Sequence, residues 1–136
     1  MASKNRWLRI LLALPLGVLV LVVFHAVMAL LLPRLYASAL DNDMDRSLMW
    51  VLIMLAGSIA SLAVGAIGRH RLWLVIGLFL VVMLGLDLHA VLYPLADQPR
   101  WFKAAMLLGV PLQAWIGALL AARLFHAKDT SPASGR

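Results

Sequence analysis

Four long apolar runs, residues 8–32, 48–68, 72–93 and 102–125, constrain this chain more than any other feature. Each is 21 to 25 residues long, and a helix needs about 20 apolar residues to cross the ~30 Å hydrocarbon layer of a bilayer. Only one charged side chain, Asp87, sits well inside a run. Arg9, Lys103 and Arg123 lie near the ends, where long basic side chains reach the interface. These runs predict an all-α integral membrane protein, a four-helix bundle with four transmembrane helices.

Residues 1–127 therefore form a single four-pass transmembrane domain, and the small polar residues 128–136 read as a disordered tail. The segments outside the runs are too short to bury a soluble core. Cysteine is absent, which removes disulfides, thiol nucleophiles and cysteine-ligated metals. No Ser/His/Asp set, phosphate-binding glycine loop, zinc signature or carboxylate pair can be assembled. The chain does not read as an enzyme, and no metal or other cofactor is expected. A sequence pI of about 10.9 invites a nucleic-acid reading, but the basic residues follow topology and form no binding face.

Orientation follows from lysine and arginine in the short loops. Lys4, Arg6, Arg9, Arg69, Arg71, Arg123, Lys128 and Arg136 fall on one side. Arg34, Arg46, Arg100 and Lys103 fall on the other, beside Asp41, Asp43, Asp45 and Asp97. The first side is expected to be cytoplasmic with both termini inside (N-in/C-in), and the Arg-rich composition suits a bacterial inner membrane. The basic N-terminus, first apolar run and Ala37-Ser38-Ala39 imitate a secretory signal. The run is longer than the 7–15 residues of a signal's apolar region, so it is expected to remain as a span.

Without a hydrophobic drive between helices in lipid, small residues govern close approach. Gly57, Ser61 and Gly65 recur at steps of four in the second run; Gly109, Gln113 and Gly117 do so in the fourth. These stripes either seat the chain's own helices or contact a partner, another membrane protein or a second copy. Gln113 adds an amide that seeks a hydrogen bond, and Pro15 and Pro111 are expected to bend their helices.

His25, Asp87 and His89 form the possible intramembrane polar site. At 1.5 Å per residue, His25 and His89 lie at one depth, ~25 Å along parallel spans, with Asp87 ~3 Å short of it. Positions two apart point roughly 200° apart on a helix, so only one of Asp87 and His89 can face His25. An Asp–His pair suits a proton path, and two level histidines raise haem, which no further residue supports. The simplest role for Asp87 is a hydrogen-bonded group paired with Arg100 or Lys103.

Asp41-Asn42-Asp43-Met44-Asp45 resembles the start of an EF-hand loop, but Arg46 and Leu52 replace the glycine and glutamate it requires. An Asp or Ser47 is expected to cap the second helix instead. The scattered methionines read as ordinary packing. Two functional expectations result. The first is a non-catalytic membrane protein acting through helix–helix contacts, as an accessory or assembly subunit or an immunity-type protector. The second is a small homodimeric channel or proton-coupled carrier using Asp87 and His25.

Overall fold

The computed structural model describes residues 2–33, 42–68 and 71–126. They form four long helices: α1 (Ala2–Leu31), α2 (Asp43–Ile67), α3 (Leu72–Leu92) and α4 (Arg100–His126). All four are long and apolar enough to cross a membrane. The tail at 128–136, the signal-like residues 37–39 and Arg69-His70 lie outside the described residues.

The helices overrun the apolar segments at several ends. α2 starts at Asp43, ahead of the run at 48, because Asn42 caps it. The Asn42 side chain accepts from the backbone N–H of Asp45 at 2.8 Å and donates to the Asp45 carboxylate at 2.9 Å. This corrects the expectation of an aspartate or Ser47 as the cap. Asp43 and Asp45 then occupy the first turn, where the helix dipole favours negative charge. Arg46 bridges back to Asp43 at 2.9 Å and donates to Gln98 Oε1 at 3.0 Å, tying the start of α2 to the α3–α4 connection. α1 and α4 continue through Pro15 and Pro111 without a break in helix.

Packing inverts the pattern of a soluble protein. Ala13, Ala56, Ala60, Ser61, Ala114, Ala118 and Ala121 are buried, while Leu11, Leu30, Val81 and Leu108 are exposed. An apolar exterior around a small-residue interior is stable only in apolar surroundings. α2 and α4 share the most extensive interface. α1 lies along α2 and α3 along α4, while α2–α3 and α1–α3 contacts are sparse. The short joint between α2 and α3 thus does not make them principal neighbours.

Two apolar clusters divide the interior. The larger, toward the chain termini, includes Ile10, Val64, Val75, Phe79, Val110 and Ala118. The smaller, toward the opposite end, gathers Val91, Phe102 and Met106 with Met49, Trp50 and Leu95 around them.

Candidate functional site: a polar-edged cavity between helices α1 and α3

The stripes of α2 and α4 face one another. A Cβ added at Gly57 would overlap the amide of Gln113. One at Gly117 would overlap Ser61 and come within 2.7 Å of the Ser58 carbonyl and 2.9 Å of the Leu62 nitrogen. At Gly65 it would meet Ala121 at 2.7 Å, and at Gly109 it would meet Met54 Sδ at 2.8 Å. The six stripe residues therefore line an internal seam, and Trp50 closes one end by donating its indole N–H to Ala105 O at 2.9 Å.

The α1–α3 seam is different. Trp7 sits against the Arg71 guanidinium, 5.7 Å from ring centroid to Cζ, at the end near the termini. One helical stretch further, Gly17 lets α1 approach Val64 of α2 and Phe79 of α3; a Cβ there would lie 2.6 Å from the Phe79 ring. Contacts 7–71 and 17–79 rise together, so α1 and α3 run parallel. Beyond Gly17 the seam opens into a cavity of about 500 Å³, lined by all four helices and by Pro94 and Leu95 of the α3–α4 connection.

Its walls are apolar except for three side chains: His25 from α1, Asp87 from α3 and Gln113 from α4. His25 Nδ1 lies 2.8 Å from the Leu21 carbonyl, which only accepts, so Nδ1 carries the proton of that bond. His25 and Asp87 lie within electrostatic reach of one another. Asp87 Oδ2 is buried and has no hydrogen-bond partner among the described residues. Gln113 is 1% exposed, and its Oε1 also lacks a donor. Gln113 thus belongs to both regions, lying over Gly57 in the closed seam and bordering the cavity.

Of the two neighbours on α3, Asp87 shares the cavity with His25. His89 is exposed and stacks on Tyr93, with ring centroids 4.8 Å apart. The two histidines are thereby separated, and among the described residues no three His, Cys, Asp or Glu side chains cluster as metal ligands. Asp87 is not paired with Lys103, whose ammonium donates to Ala96 O at 2.8 Å. Among the described residues the salt bridge is Arg46–Asp43. Asp87 lies more than a turn inside α3 and borders the cavity, while Lys103 is held at Ala96 of the α3–α4 connection.

Sequence reasoning missed Gly17, which packs against Val64 and Phe79 one turn before the cavity begins at Leu21. Its signal is the small-residue step of four from Ala13 to Gly17 across Pro15. The methionines were also missed as a group. Met49, Met83 and Met106 come from three helices and line the same space.

Comparison with protein-family models, curated proteins and solved structures finds no match to this chain. The chemistry available must be read from the site itself. A carboxyl group, an imidazole and an amide border an otherwise apolar chamber, an arrangement suited to holding a small ligand or passing a proton.

Proposed function

We propose that this protein is a small membrane carrier whose site is the cavity between α1 and α3, with Asp87 as the group that binds and releases. One observation carries this reading: a carboxyl oxygen without a partner, an imidazole and a buried amide converge from three helices on one chamber. Leaving buried polar atoms unsatisfied costs about 1–3 kcal/mol each, and such groups within a span mark a functional site by default. The protein sits in a bacterial inner membrane with both termini in the cytoplasm, as its lysine and arginine distribution favours, so the cavity lies in the outer half. Two copies form the working unit, since four helices of this size enclose little space.

The test is transport by the full chain in liposomes under an imposed pH gradient, followed with an internal pH-sensitive dye. Among the described residues, Asp87 and His25 are the titratable groups bordering the cavity, from α3 and α1; α2 contributes none and α4 only the neutral Gln113. Gradient-driven proton movement that is lost in Asp87→Asn supports the carrier. No movement in wild-type protein that is folded and inserted overturns it.

A second reading, a non-catalytic accessory protein working through helix contacts, is favoured by a different surface from the stripes first considered. Gly77 and Gly85 stand two turns apart on α3 with open space before both, and Val81 between them is 67% exposed. Replacing both glycines with leucine should release a membrane partner or second copy during gentle extraction. Unchanged co-purification removes this face from consideration.

A further inference from the structure

We propose that the cavity recognises a lipophilic ammonium ion: a single protonated amine carried on a compact apolar body. The inference deepens the carrier reading and rests on its choice of site, though its binding test stands apart from transport.

Asp87 Oδ2 is a buried acceptor without a donor among the described residues, and Gln113 Oε1, likewise unpartnered there, lies against Gly57 in the α2–α4 seam. Among the described residues no lysine or arginine lines the chamber. A carboxylate in apolar surroundings is stabilised by an opposite charge that also supplies hydrogen-bond donors. An ammonium group with N–H bonds supplies both. A neutral ligand leaves the carboxylate only the imidazole of His25 to answer its charge, and an anion is repelled by it.

The walls define the rest of the ligand. At about 500 Å³ the chamber falls within the usual range of small-molecule sites, and is far larger than a bare ion requires. Met49, Ile53, Met83 and Met106 present apolar surface from three helices. Methionine is flexible and polarizable and adapts to different shapes, so the head group is read strictly and the body loosely. Gln113 is held by its seat on Gly57 and fixes the depth of the chamber.

Soft-metal binding by the same methionines is the competing chemistry. It is disfavoured because Met83 and Met106 are both buried in apolar clusters, and in different ones.

The experiment uses the full chain in lipid nanodiscs and two fluorescent probes with one body, pyrenemethylamine in its protonated form and the neutral pyrenemethanol. Energy transfer from the chain's tryptophans to pyrene reports binding. The expected result is saturable binding of the ammonium probe, weakened at least tenfold in Asp87→Asn. Pyrenemethanol should bind weakly and equally to both proteins. A second variant, Ala90→Trp, fills the chamber while leaving Asp87 in place and should also lose the ammonium probe. Thermal unfolding of each variant in the same nanodiscs establishes that it is folded.

Equal affinity of folded Asp87→Asn for the ammonium probe overturns the proposal, as does equal affinity of wild-type protein for the two probes. Silver-ion binding that excludes the probe, with no Asp87 dependence, also overturns it in favour of a thioether site. Asp87-dependent binding of the ammonium without proton flux upholds the ligand class and removes the carrier reading. Proton flux without ammonium binding does the reverse.

Discussion

The two long seams of this bundle are built in opposite ways. Between α2 and α4, every small residue of both stripes is used, and a single methyl added at Gly117 would strike backbone atoms of the facing helix. Between α1 and α3, the helices are pinned at Trp7–Arg71 and Gly17–Phe79, then held apart around a polar-edged chamber. Where close packing is the purpose, side chains shrink, even though Ser61 Oγ and Gln113 Oε1 are left without partners among the described residues. Where a site is the purpose, large flexible side chains stand back and three polar groups are left at the margin. The rigid seam supports the open one, since Gln113 reaches from the first into the second.

The largest effect should come from breaking the closed seam. Gly117→Ala places a methyl against Ser61 and the backbone of Ser58 and Leu62, which cannot rotate aside. Overpacking of this kind costs about 1–3 kcal/mol, and unfolding in mixed micelles should register the loss. The open seam should respond with the opposite sign. Asp87→Leu removes a carboxyl with an unpartnered buried oxygen, and a gain of about 1 kcal/mol in the same assay is expected as that desolvation cost disappears. The gain should accompany loss of ligand binding, the trade expected at a functional site. The smallest effect should be at Gly77→Ala on the outer face of α3. Nothing lies within 4 Å of the added Cβ, so stability should hold or rise by less than ~1 kcal/mol, the helix-propensity difference.

How far the sequence foretells this arrangement depends on which interaction is in question. The four helices are legible because the length of an apolar run is written directly in the chain, although α2 extends to Asp43 through a cap that hydropathy does not register. The α2–α4 seam is partly legible, since Gly57, Ser61 and Gly65 share a face by period alone. That they meet Gln113, Gly117 and Ala121 on the same chain is a tertiary fact. Depth along a helix is countable, which placed His25 near Asp87 and His89. Rotation about the helix axis is harder to count, because an error of one residue turns a side chain by 100°; only the folded bundle assigns Asp87 to the chamber and His89 to the outside. The Gly17–Phe79 contact left only the Ala13–Gly17 step of four, which does not name Phe79 as the partner.

The most direct test of the two-seam account uses the absence of native cysteine, which lets every introduced thiol report alone. Single cysteines at Met83 and Ala90 in the chamber, and at Ser61 and Ala121 in the closed seam, would be exposed in native membranes to a water-soluble cationic methanethiosulfonate. The account predicts modification at the two chamber positions, slowed by protonated pyrenemethylamine, and none at the two seam positions. Modification at Ser61 or Ala121, or none at Met83 and Ala90, would contradict it.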